Sequence, residues 1–111
     1  MKITKLQYAY LLLSLAGLIG TWFFNIRFMQ ETGWLFDVGA FVKGGYANDA
    51  SSSLTNDVTV GAFAFFLWSF FEARRLGMKN WWAYFALTWG IAFAFAFPLF
   101  LFMRERKLAE R

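Results

Sequence analysis

Apolar and polar positions alternate along this chain in long blocks rather than at short intervals. Residues 6–24 are apolar apart from Gln7, Ser14 and Thr21, residues a helix absorbs by letting them bond to its own backbone. Residues 54–71 form a second block, with Asn56 and Asp57 in its first turn. Residues 81–103 form the third, which carries no charge, opens on Trp81-Trp82 and is closed by Arg104-Glu105-Arg106-Lys107. A helix of about 20 residues covers the hydrocarbon core of a bilayer, and aromatic and basic residues gather at its two interfaces. The pattern predicts three transmembrane helices. Ser14-Leu15-Ala16 has the look of a signal-peptide cleavage site, but the apolar run continues to Trp22-Phe23-Phe24, which favours an uncleaved first span.

The segment between the first two spans has a different rhythm. In residues 34–46, Trp34, Val38, Phe41 and Val42 share one helical face, Asp37 and Lys43 interrupt the rest, and Gly39, Gly44 and Gly45 weaken the helix. Thirteen residues reach roughly 20 Å, too short to cross, so a short interfacial or re-entrant helix is expected. Residues 47–53 make a turn whose serines cap the next helix. Residues 72–80 are a tight basic loop that makes spans two and three a helical hairpin. Residues 92–97 alternate Ala and Phe with a period of two. Both phases are apolar, unlike the strands of an outer-membrane barrel. The fold class is therefore all-α, a single integral membrane domain over residues 1–111.

Composition sharpens this. The chain is 59% hydrophobic and 23% aromatic, against about 45–50% apolar in soluble domains. Cysteine and histidine are both absent, which removes disulfides, the commonest metal ligand and the most frequent general base. No metal and no cofactor is expected. The net charge of +4 sits at the ends of apolar runs, where anionic headgroups account for it, so nucleic acid is not an expected partner. Membrane lipid and other membrane subunits or further copies of the chain are, in a multi-pass protein of the inner (plasma) membrane. Three spans place Lys2, Lys5, Arg74, Arg75 and Lys79 against Arg27, Lys43, Arg104, Arg106, Lys107 and Arg111, a balance that selects neither orientation. A fourth crossing at residues 34–46 sorts them better but buries Asp37 and Lys43.

Inside lipid, helices associate through small residues. Ala16 and Gly20 offer such a pair on span one, Gly61 and Ala64 on span two, and Ala86, Gly90 and Ala94 a stripe on span three. Pro98 lacks a donor and clashes with the carbonyl of Ala94, so span three should kink there.

An antiparallel hairpin of two full spans brings the start of one and the end of the other to the same rim. That predicts a polar cluster of Asn48, Ser52, Asp57, Arg104 and Glu105, with Arg104 as counter-charge to Asp57, and Glu72, Arg74 and Arg75 at the opposite interface. An ionisable group at membrane depth suggests a functional site; a carboxylate in a helix's first turn also serves as an interfacial anchor. No phosphate loop, metal cluster or nucleophile with its base is present. The expected role is non-catalytic, through helix contact, as an accessory or scaffold subunit of a membrane assembly. Alternatives are a lipid- or isoprenoid-processing enzyme using Asp57, and a small transporter or channel subunit.

The stretches E-A-R-R-L-G-M-K-N-W-W (residues 72–82) and F-P-L-F-L-F-M-R-E-R (residues 97–106) make the chain resemble a domain-of-unknown-function family of small bacterial polytopic membrane proteins. Its pattern has an Asn and serines before an Asp, an E-x-R-R-L-G-M-K loop and a P-L-F-L-x-x-R-E-R ending. These fall here on Asn48, Ser51, Ser52, Asp57, Glu72, Arg74, Arg75, Pro98, Arg104 and Glu105, with Ala73 where the family usually has Gly. The resemblance implies a bacterial membrane protein and brings no established activity.

Overall fold

A computed structural model describes residues 2–34 and 36–110. Among them are five helices and no strand: α1 (Lys5–Glu31), α2 (Val38–Gly45), α3 (Asp49–Leu76), α4 (Trp81–Gly90) and α5 (Phe93–Ala109). The all-α expectation holds. Two of the helices, α1 and α3, are long and apolar enough to cross a membrane.

Local chemistry explains most boundaries. The Thr4 side chain caps α1 by accepting from the backbone N–H of Gln7. Asp37 does the same for α2 through the N–H of Ala40, 3.1 Å away. Asn48 opens α3 with a reciprocal capping box, taking the N–H of Ser51 while the Ser51 hydroxyl takes its own. Gly77, in the left-handed region at φ 72°, closes α3, and Met78 N–H returns to the Ala73 carbonyl at 2.8 Å. Helix α2 is shorter than the 34–46 segment read from the sequence, and Leu35 lies outside the described residues.

The third apolar block is not one helix. It breaks at Ile91 and Ala92, where α4 ends on Gly90 and Ala92 is extended. Both free N–H groups, of Ile91 and Ala92, fold back onto the Leu87 carbonyl, and the Trp22 indole donates to the Ile91 carbonyl at 2.9 Å. The chain then reverses. Along α3, the rings of Trp81, Phe85 and Trp89 in α4 meet Phe70, Phe66 and Phe63 in turn, so α4 runs antiparallel to α3. Phe93 and Phe97 meet Phe65, Phe100 meets Trp68, and Arg104 meets Glu72, so α5 runs parallel to it. The α4–α5 unit is thus a hairpin that starts and finishes at the C-terminal end of α3. An unbroken span over residues 81–103 is corrected accordingly.

Helix α5 lies between α1 and α3, packing chiefly on α1. Gly17 makes this possible, because a Cβ there would overlap the Ala94 carbonyl. That carbonyl is the one Pro98 leaves without its helical donor; α5 nonetheless continues through Pro98 as a single helix. The buried centre is aromatic: Phe65, Phe66, Tyr84 and Phe100 with Ala62 and Ala73, and Phe100 is fully enclosed.

Helix α1 is inverted relative to a helix of a water-soluble protein. Its buried residues are Gln7, Ser14 and Asn25, whereas Leu12, Leu13, Ile19, Phe23 and Phe24 are exposed. The three polar interruptions seen in the sequence therefore mark, at Gln7 and Ser14, the inner face of the helix.

Candidate functional site

Helix termini gather at one end of the molecule, the C-terminal end of α3, and around them an ion-pair network is built. Glu72 sits in the last turns of α3, on the face that also buries Ser69, Ala73 and Leu76. Its side chain is only 8% exposed. Arg75, one turn on, donates from Nε to Glu72 Oε1 at 2.7 Å and from its terminal nitrogen to Oε2 at 3.0 Å. Arg104 reaches across from α5 and donates from Nε to the same Oε2 at 2.5 Å. The Arg104 guanidinium also lies 5.7 Å from the Trp68 ring centroid and 3.5 Å from a Glu105 oxygen. A carboxylate held by three charge-assisted bonds is a strong brace between two helices.

Neighbouring polar atoms are paired as well. Ser69 Oγ accepts from the Trp81 indole at 2.8 Å and donates to the Phe66 carbonyl, fixing the start of α4 on α3. Arg74 points away and stacks over Phe70 at 5.7 Å. Both oxygens of the Glu72 carboxylate are committed to the two arginines, so the chemistry of the network is that of a clamp.

This arrangement corrects the polar cluster expected from the sequence. Arg104 and Glu105 stand with Glu72 and Arg75, and Arg74 lies at the same end. Asp57 does not join them. It lies fifteen residues before Glu72 on the same helix, roughly 22 Å away along the axis. Asp57 is exposed and forms no ion pair among the described residues. Asn48 serves the α3 cap, and the Ser52 N–H bonds to the Asn48 carbonyl. The physical reason is the fold-back at Ile91, which returns the C-terminal segment to the rim it had left.

The small-residue seam is corrected too. Ala94 does make a close helix–helix approach, but its partner is Gly17 rather than Ala16 or Gly20. Ala16, Gly20, Ala64, Ala86 and Gly90 are exposed, and Gly61 only approaches the Phe93 ring. In helices apolar all round, the inner face is signalled by the polar side chains instead.

Charge separates along the molecule as a result. Lys2, Lys5, Arg74, Arg75, Lys79, Arg104, Arg106 and Lys107 all lie at the Glu72 end, hereafter the basic end. Arg27 and Lys43 lie at the other, with Glu31, Asp37, Asp49 and Asp57. Arg111 lies outside the described residues. Among the described residues no group of three or more acidic side chains is placed to hold a metal ion.

No curated protein and no solved structure matches the chain. A family model does match over residues 9–106, a range that takes in the capped start of α3, the network around Glu72 and the α4–α5 hairpin, and by that match the chain belongs to the family described as "Protein of unknown function DUF2834".

Proposed function

We propose that this is a multi-pass inner-membrane protein that crosses the bilayer twice, at α1 and α3, and works by helix contact as an accessory or scaffold subunit. The α4–α5 hairpin is re-entrant: it enters from the basic end, turns at Ile91 and Ala92, and leaves by the same side. The observation that carries this reading is the inversion of α1. Burying Gln7, Ser14 and Asn25 while exposing leucines and phenylalanines is unfavourable in water, and it is what a lipid surround requires. Only 11% and 22% of the most apolar windows of α1 and α3 are buried, unlike the core helices of a soluble protein.

The hairpin also supports one orientation over the other. With eight cations at one end and two at the other, the positive-inside rule puts the basic end in the cytoplasm. The broken backbone at Ile91 is compatible with membrane depth because Ala92 is buried, the Ile91 and Ala92 N–H groups bond to the Leu87 carbonyl, and Trp22 satisfies the Ile91 carbonyl. The network supports contact as the mode of action. Glu72 and its arginines are committed to one another, and the surfaces left uncommitted are the apolar flanks of α1 and α3.

The natural chain has no cysteine, so single-cysteine variants report cleanly. An impermeant maleimide should label Lys2→Cys and Glu110→Cys from one side of the membrane and Asp49→Cys from the other. Labelling of Glu110→Cys and Asp49→Cys from a common side would restore three crossings and end the hairpin placement. Extraction in mild detergent should recover the protein with a stoichiometric membrane partner. Recovery solely as a lone chain would end the contact role.

A further inference from the structure

Because the α4–α5 hairpin turns back partway along its neighbours, it leaves a hollow. Its tip meets α1 at Gly17 and Trp22. Beyond that level, α1 and α3 have little direct contact and are bridged by α2. On the α3 side Thr55 donates to the Gly45 carbonyl at 2.8 Å and the Tyr46 hydroxyl to Asn56 at 2.7 Å. On the α1 side the Phe41 ring packs 5.4 Å from Phe28. Beneath α2 lies a cleft of about 480 Å³, open on one side where Phe24 and Phe41 are exposed.

The lining is specific. Phe24, Phe28 and Phe41 supply aromatic walls, Gly20 leaves space where a Cβ would touch nothing, and Thr21 and Asn25 supply the polar atoms. Among the described residues no charged side chain lines the cleft. Asn25 is 7% exposed, and its carboxamide has no hydrogen-bond partner among the described residues. The Asn25 polar atoms are open to the cleft rather than sealed in the protein, so they are free to bond to whatever fills it.

We infer that this cleft binds an uncharged, lipid-soluble molecule with a flat carbonyl-bearing ring, the chemistry of a lipid-soluble quinone. The Asn25 amide and the Thr21 hydroxyl donate to a ring oxygen, and the phenylalanines lie against its faces. An anionic headgroup finds no counter-charge there. A purely aliphatic chain leaves the Asn25 amide unsatisfied. The assignment rests on the membrane placement above, since such a ligand reaches the cleft sideways from lipid.

The test titrates a decyl-tailed benzoquinone into the full-length protein in phosphatidylcholine nanodiscs and follows tryptophan fluorescence, Trp22 being next to Thr21. Saturable quenching is expected above the linear background of quinone dissolved in lipid. Asn25→Leu should weaken it at least tenfold, the loss expected for a good hydrogen bond. Gly20→Phe, which places a ring inside the cleft, should abolish it. Linear quenching alone in the natural chain would overturn the site, as would saturation left unchanged in Gly20→Phe. Displacement of the quinone by phosphatidylglycerol would overturn its neutrality. A protein that stays dissolved without detergent would instead refute the membrane placement, before any quinone is added.

Discussion

At the basic end, α3 and α5 converge on Glu72, whose carboxylate takes bonds from two guanidiniums, while at the α2 end α1 and α3 are joined through one short helix and leave Asn25 without a partner. Both ends are built from the same kind of apolar helix, so composition does not separate them. The hairpin does. Where α5 lies between the long helices and α4 packs on α3 and α5, aromatic rings interlock and both oxygens of the Glu72 carboxylate are bonded. Where the hairpin stops, the long helices are held apart and a cleft remains. One end is braced and the other is open.

The largest effect should come from removing the brace. Glu72→Gln leaves Arg104, 23% exposed, beside Arg75 without the carboxylate that pairs them. Breaking a buried pair from one side costs about 3–5 kcal/mol. Solvent reaches Arg75, so about 3 kcal/mol is expected in the free energy of unfolding in mixed micelles. A loss below about 1 kcal/mol, the range of an exposed pair, would erase the contrast between the two ends.

A sharper comparison sits where the two regions meet. Gly17 and Gly20 are less than one helical turn apart on α1, yet only Gly17 faces the Ala94 backbone. Gly17→Ala should cost about 1–3 kcal/mol, because backbone rather than a mobile side chain must move. Gly20→Ala should cost nothing and gain up to about 1 kcal/mol of helix propensity. Equal effects would place the hairpin tip elsewhere along α1, and thermal unfolding of the two variants side by side decides it.

Much of this was readable from residue order, for identifiable reasons. Helices α1 and α3 announce themselves through long apolar runs, and Asn48 with Ser51 marks the start of α3 by capping chemistry. The break at Gly90-Ile91 carries no comparable signal. It lies inside an apolar run with no polar stop, and the partner of its freed carbonyl is Trp22, distant in sequence. Charge carries one signal: folding residues 81–103 back on themselves turns an even distribution of cations into a lopsided one. The spacing of Gln7, Ser14 and Thr21, seven residues apart, was a second. Read as interruptions they say little, but a period of seven keeps residues on one helical face, and Gln7 and Ser14 are buried there.

The smallest effect tests the same fold-back from the other direction. If the third apolar block crossed as one helix, Arg104 would stand near Asp57, and Asp57→Asn would remove the counter-charge of a cation at membrane depth. In the hairpin, Arg104 belongs to Glu72, and Asp57 is exposed in the second turn of α3 or just beyond, where neutralising it forfeits only a weak attraction to the helix N-terminus. Asp57→Asn should therefore change unfolding stability by no more than about 0.5 kcal/mol and leave the labelling sides of Lys2→Cys and Glu110→Cys as they are. A loss close to that of Glu72→Gln would mean that Asp57 is paired after all. It would carry the basic end's clamp over to the α2 end and remove the distinction between them.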